Sequence, residues 1–371
     1  MSIEEEDAQN GAEDVTRANI DLDDTMNEEA EDDGDAWDDA DDLSIPDDDF
    51  EDAEQSNDVD VFQPSTVAEG EIGYWLRNAK TAAGYAAAGA FEQTASMLNK
   101  QLGVVNFEPL RPRFLEVYQS SKLYLPGIDD LPAMKDYIRA DNDEDNPNKF
   151  HPLIPGFDNL EDRLSVGFKH FKANQLPEAI KVFRDIIYTI TLLTVADDEE
   201  QEKCEEILKL CREYILGLSM ELARRALGPD DIKRNLELAA YFTRAGLQGP
   251  HRINALQVAM TQSFKNKNYA SASYFAGEVL AASVSGQRAD QARKIKAKSD
   301  LISKDAIEID FDPYAEFDIC CASFTPIYKG EPSVSEALVG AKYKEQYKGQ
   351  LCSITKITAI GVPASGLRLR S

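Results

Sequence analysis

Five cysteines and three histidines are the residues of this chain best suited to hold a metal, attack a carbonyl or pass a proton. Cys204 and Cys211 stand seven apart, two turns of a helix, so they share one face of it. Thiols so placed suit a core or its edge; a redox or metal pair needs closer spacing. Cys320, Cys321 and Cys352 complete a scattered set that makes no disulfide framework, and a reducing compartment is expected. His151, His170 and His251 lie far apart without ligand-like neighbours and read as structural or solvent-exposed. No phosphate-binding glycine loop, zinc-hydrolase motif or nucleophile elbow occurs. Gly246-Leu247-Gln248-Gly249 runs into Pro250 and reads as a helix stop. The expectation is a chain that is not an enzyme, needs no cofactor and binds no nucleic acid.

The element that must organise these residues is a helix over 198–227. Ile207, Leu208, Leu210, Cys211, Tyr214, Ile215, Leu218 and Leu222 recur on one wide stripe. Asp197 and Asp198 supply a cap and a negative first turn, and Gly228-Pro229 a stop. Such a rod, roughly 45 Å long, needs other helices against its stripe. Upstream, Leu164, Gly167, Phe168, Phe171, Leu176, Ala179 and Phe183 follow the small-large pattern of a tetratricopeptide-like helical hairpin, with Pro177 at the start of its second helix. A similar turn recurs at Phe264-Lys265-Asn266-Lys267-Asn268-Tyr269, 93 residues on. That distance is too long for one repeat period and implies a few related hairpins stacked side by side. Further helices are expected over 230–245, 251–264, 269–283 and 287–303. Ahead of the stack, 71–101 is alanine-rich and broken by glycines into two or three short helices, and 113–122 fits another. Short valine-, isoleucine- and phenylalanine-bearing segments at 306–310, 318–324, 338–343, 350–360 and 366–370 read as strands.

The fold class expected is therefore mainly α: a tetratricopeptide-like helical hairpin stack with a small β-rich C-terminal domain and a disordered acidic N-terminal tail. Five regions follow: an acidic linker over 1–63, a short-helix segment over 64–122, an extended proline-rich arm or hairpin over 123–157, a helical-repeat domain over 158–304 and the β-rich domain over 305–371. Residues 1–60 carry 27 acidic side chains and one basic one, Arg17, for a net charge of −26; the rest of the chain sums to −3. Self-repulsion of that order opposes compaction. The tail contains Trp37-Asp38-Asp39, which is either a short docking motif or an incidental aromatic in a solvated linker. No apolar run is long enough to span a bilayer, and the acidic N-terminus lacks the apolar stretch of a leader, so none is expected. Lys294, Lys296 and Lys298 form either a solvated face or a patch for anionic lipid or an acidic tail; Arg368 and Arg370 read the same way.

The arm holds five prolines and the polar run 141–146. On one side of the run lie Leu123, Tyr124, Leu125, Ile128, Leu131, Tyr137 and Ile138. Phe150, Leu153, Ile154 and Phe157 lie on the other. The layout fits a hairpin with a polar tip; it equally fits a loop laid across its own helices.

The C-terminal segment resembles the end of the coatomer alpha-subunit family, a cytosolic vesicle-coat family. The residues that carry the likeness are Phe317-Asp318-Ile319-Cys320-Cys321-Ala322-Ser323, Pro326-Ile327-Tyr328-Lys329-Gly330, Gly340-Ala341, Lys348-Gly349-Gln350-Leu351-Cys352 and Gly366-Leu367-Arg368. Upstream, Ala88-Gly89-Ala90-Phe91-Glu92, Gln101-Leu102-Gly103-Val104, Cys211-Arg212-Glu213-Tyr214-Ile215-Leu216-Gly217-Leu218 and Ala239-Ala240-Tyr241-Phe242-Thr243 are similar too, as is the Trp37-Asp38 linker. The likeness covers nearly the whole chain and implies the C-terminal third of a longer subunit, without that family's β-propellers. It implies a non-catalytic scaffold that pairs with the epsilon subunit, itself a helical-repeat protein, and associates with other coatomer subunits. The implied location is the cytoplasm, peripheral on Golgi membrane and coated vesicles.

The resemblance also bears on metal. Many relatives carry four cysteines able to hold zinc, and the aligned positions here are Cys320, Glu336, Lys342 and Cys352. Lys342 is cationic and only two thiols remain, so no bound zinc is expected. The eleven apolar arm residues named above are expected to form the partner surface. The competing reading is an acidic-tailed adaptor or chaperone that binds basic partners through residues 1–60.

Overall fold

The computed structural model describes residues 71–125, 134–138, 154–157, 159–282 and 286–370. The acidic stretch 1–63 with Trp37, the polar run 141–146 and His151 lie outside the described residues. The alanine-rich segment makes three short helices, α1 (Glu71–Asn78), α2 (Ala82–Ala87) and α3 (Phe91–Leu102), followed by α4 (Arg111–Ser120). Thr81 caps α2 by accepting the Gly84 N–H at 3.2 Å. Gly89, between α2 and α3, has φ of 85°, and a β-carbon there would meet the Tyr118 ring at 2.9 Å; only glycine takes this turn against α4. Strands β1 (Lys122–Leu125) and β2 (Met134–Tyr137) then pair antiparallel, Leu123 opposite Asp136 and Tyr124 opposite Lys135.

Seven helices follow: α5 (Leu160–Lys172), α6 (Leu176–Ile190), α7 (Asp198–Arg225), α8 (Ile232–Phe242), α9 (Gly249–Lys265), α10 (Tyr269–Ala281) and α11 (Gln287–Asp300). Each packs on the next, as in a stack of helical hairpins. Asp197 caps α7 by accepting the Glu200 N–H at 2.8 Å. Acids fill the first turn of α7 and Arg224 and Arg225 its last, which matches the helix dipole. Of the expected stripe, Ile207, Leu208, Cys211, Tyr214, Ile215 and Leu218 are buried and Leu210 and Leu222 half-buried; Leu216, Met220 and Glu221 are buried too, because α7 is covered on more than one side. Helices α5 and α6 touch closely at Gly167, where a β-carbon would lie 2.7 Å from the Phe183 ring.

The two turns 93 residues apart share one backbone geometry. Asn174 has φ of 60° and Lys267 of 63°. Asn174 N–H donates to Phe171 O and Gln175 N–H to His170 O; Lys267 N–H donates to Phe264 O and Asn268 N–H to Ser263 O. The pattern is that of a helix ending in a left-handed residue.

After α11 come two small ribbons: β3 (Phe317–Ile319) pairs with β4 (Pro326–Tyr328), and β5 (Ser333–Ser335) with β6 (Lys342–Lys344), both antiparallel. Regular strands are shorter than the sequence suggested. Residues 306–310 and 366–370 form none, since their backbone groups are met by the rest of the fold. Tyr241 donates to Asp310 O at 2.5 Å, Asn268 exchanges bonds with Ile307, Val195 N–H donates to Leu369 O, and Gly366 N–H donates to Gln101 O. Residues 350–360 contribute only isolated bridges, Leu351 to Ala359 and Val104 to Thr358.

The main apolar cluster joins α2–α9 to this C-terminal region. Leu98, Phe183, Ile187, Tyr214 and Leu218 belong to it, and so do Ile319, Cys352 and Ile357. A second cluster fills α8–α11 with Ala240, Met260, Phe275 and Val279, and Phe311 packs against both.

Candidate partner-binding surface

The arm begins where α4 ends. Ser121 is buried and its hydroxyl donates to Ala87 O at 3.1 Å, while Ile138 N–H donates to Ser121 O at 2.9 Å. The residues that flank the ribbon, Ser121 and Ile138, are thereby tied to one another and, through Ser121, to α2 and α4. Lys122 is buried with its ammonium over the Tyr118 ring. Beyond this anchor the side chains are open: Leu123 is 47% exposed and Tyr124 56%. Successive strand residues point to opposite faces, so at Leu123 and Tyr124 the ribbon is uncovered on both. A two-stranded ribbon without a covered face is marginal by itself.

The eleven apolar arm residues are not brought to one place. Leu123, Tyr124, Leu125 and Tyr137 lie in the ribbon and half-buried Ile138 at its end. Ile154 and Phe157 are half-buried and pack on the main helical core, with Thr194 N–H donating to Pro155 O at 3.4 Å. Ile128, Leu131, Phe150 and Leu153 lie outside the described residues. The ribbon is not the expected hairpin with 141–146 at its tip, since both its strands precede that run, while Ile154 and Phe157 lie against the helical core.

The four positions aligned with a zinc site do not fit the metal. Lys342 is exposed, and only its backbone turns inward, accepting the Cys321 N–H at 2.9 Å. Glu336 is buried, and its two oxygens accept the Leu338 and Val339 N–H groups, both at 2.9 Å. Burial nevertheless holds its carboxyl above the usual range. Tyr343, fully buried, stands 3.0 Å from Cys352 Sγ and 3.1 Å from Ser353 Oγ, and Ser353 donates onward to Cys321 O. Cys320 Sγ accepts the Lys344 N–H at 3.4 Å. Hydrogen bonds thus engage the side chains or backbone a metal would need, and among the described residues no three His, Cys, Asp or Glu side chains gather to hold one.

Cys204 and Cys211 are both fully buried, and burial pushes the Cys204 thiol up to about 11, far from a reactive thiolate. Half-buried His170 meets Gln175 at 2.7 Å. His251 is buried among Phe168, Phe171 and Tyr214, its Nδ1 2.6 Å from the Tyr214 hydroxyl. Burial, then Lys172, lowers its pKa. The Gln248 N–H donates to that hydroxyl at 3.3 Å, so Tyr214 in turn donates to a neutral imidazole.

Sequence reasoning passed over the arginines that seat the C-terminal region on the helices. Arg184 donates to Ile354 O at 2.9 Å; Arg212 to Val339 O at 2.8 Å and Gly340 O at 3.1 Å; Arg234 to Ser323 O at 2.7 Å and Phe324 O at 3.1 Å. Tyr188 adds a bond to Thr355 O at 2.8 Å. Nothing in an isolated helix pattern marks such residues, because their targets lie 89 to 170 positions away.

A stack of helical hairpins that carries an open two-stranded ribbon can be compared with known proteins. The family model described as the C-terminus of the coatomer (COPI) alpha subunit matches residues 4–371. The chain belongs to that family. It is 48% identical over 325 residues to coatomer subunit alpha of Saccharomyces cerevisiae, across 84% of this chain and 27% of that protein. It is 38% identical over 320 residues to a putative coatomer subunit alpha of Schizosaccharomyces pombe, across 85% and 26%. Coatomer subunit alpha-3 of Oryza sativa is 36% identical over 296 residues, across 79% and 24%. The chain spans about a quarter of the length of these coatomer relatives.

Proposed function

We propose that this chain is a non-catalytic, partner-binding part of a coatomer vesicle coat, and that its β1–β2 ribbon enters the epsilon subunit. The observation that supports this most is the ribbon itself, anchored at Ser121 yet open on both faces at Leu123 and Tyr124. Exposed apolar side chains on so slight an element are stabilised when a partner closes around them. Leu125, Ile128, Leu131, Tyr137, Ile138, Phe150 and Leu153 extend the same contact, while Ile154 and Phe157 steady its base. Through this contact and contacts with other coatomer subunits the chain supports Golgi-to-ER and intra-Golgi vesicle transport, from the cytoplasm and peripheral to Golgi and vesicle membrane. No helix among the described residues is long and apolar enough to cross a membrane, in keeping with attachment through the coat.

Size-exclusion chromatography with light scattering, on the chain alone and mixed with the epsilon subunit, tests the proposal. A one-to-one complex is expected, lost in the Leu123→Asp/Tyr124→Asp variant at unchanged thermal midpoint. A full-strength complex of that variant would overturn the role of the ribbon.

A further inference from the structure

A cleft of about 380 Å³ opens between α2, α3 and the C-terminal segment, lined by Tyr85, Met97, Lys100, Gln101 and Arg368 among others. Its volume is at the small end of ligand pockets. Segments more than 260 positions apart build it, pinned by Ser365 N–H to Lys100 O at 3.3 Å and Gly366 N–H to Gln101 O at 3.0 Å. Gln101 is buried, 7% exposed, and its Oε1 has no hydrogen-bond partner among the described residues. A buried acceptor left unpaired is costly and uncommon in a folded protein. Beside it, exposed Lys100 and Arg368 have no ion-pair partner among the described residues, although the chain as a whole carries a net charge of −29. Tyr85 and Met97 are half-buried and offer an apolar wall. We propose that this cleft is a docking site for an acidic peptide segment of a partner protein, with an apolar side chain among its carboxylates. The carboxylates meet Lys100 and Arg368 and the apolar side chain lies on Tyr85 and Met97; Gln101 Oε1, sealed from solvent in the free chain, turns toward the cleft on binding, where a backbone N–H of the peptide supplies the donor it lacks. Each component of the ligand answers one feature of the cleft: two unpaired cations, an apolar wall and one orphaned acceptor.

The test uses the full chain and a fluorescein-labelled, aspartate-rich peptide with one central tryptophan, followed by anisotropy. Saturable binding is expected, weakening with salt and absent for the peptide with asparagine in place of aspartate. Lys100→Ala/Arg368→Ala, both at exposed positions, should weaken it at least tenfold. Gln101→Leu separates a ligand contact from a structural flaw: it should raise the thermal midpoint by removing an unpaired polar group, yet weaken peptide binding several-fold. The Leu123→Asp/Tyr124→Asp variant should bind the peptide normally, since the cleft and the ribbon are separate sites. Absence of saturable binding, equal binding of the asparagine peptide, or full-strength binding by the Lys100→Ala/Arg368→Ala variant would each overturn the proposal; so would a Gln101→Leu variant that gains stability with unchanged affinity.

Discussion

At the scale of single residues, the histidine with the most to say is His251. Accepting a hydrogen bond from Tyr214 requires it neutral, and burial keeps its pKa below the ordinary value of about 6.5. As pH falls below that value, the unfolded chain takes up a proton that the folded chain refuses. The stability conferred by the neutral ring is therefore in place above about pH 6.5 and lost as pH falls through the lowered folded pKa. Urea titrations at about pH 7 and pH 5 should show this loss, and His251→Phe should reduce the difference between the two. Gly167 offers a sharper conflict of terms. In an exposed helix, glycine to alanine gains about 0.5–1 kcal/mol from helix propensity. Here the new β-carbon would press within 2.7 Å of Phe183, itself fully buried with nowhere to move. Overpacking costs about 1–3 kcal/mol, so Gly167→Ala is expected to lower stability, which chemical denaturation would measure directly. A gain in stability would mean that α5 and α6 can separate without loss.

At the scale of elements, the C-terminal ribbons are three residues per strand, too short to stand on their own ladders. Side chains on the helices compensate. Arg212→Met keeps the aliphatic stem of α7 but leaves Val339 O and Gly340 O without their donor. A loss of about 1–3 kcal/mol is expected, with faster amide exchange in β6 than in α6. The β1–β2 ribbon behaves oppositely. Leu123 and Tyr124 add little to the folded chain in isolation, so Leu123→Ser/Tyr124→Ser should change unfolding by less than about 0.5 kcal/mol while abolishing the proposed complex with the epsilon subunit. Calorimetry and binding on the same preparation would separate the two effects.

At the scale of the whole molecule, charge and packing are divided along the chain. Removing residues 1–60 takes the formal net charge from −29 to −3. If the ribbon carries the main contact, this truncation should leave the affinity for the epsilon subunit within about twofold and nearly independent of salt. Loss of binding together with strong salt dependence would instead favour the acidic-tail reading. Much of this architecture was legible in the residue order. Helical periodicity, the Asp197 cap and the Asn174 and Lys267 turns are local signals, because a helix makes its bonds within four residues. Asp198–Arg225 accordingly lies where its apolar stripe placed it. The charge of the tail and the likeness of 317–323 and 211–218 to coatomer alpha subunits were equally readable without coordinates. What only tertiary structure decided are the pairings between distant positions. Arg184 meets Ile354, Tyr343 closes on Cys352, and the unpaired Gln101 oxygen comes to lie beside Arg368 in one cleft. Periodicity reports which face of an element is apolar. It does not report which carbonyl, 170 residues away, a particular arginine will find, because that choice is made by the packing of the entire chain.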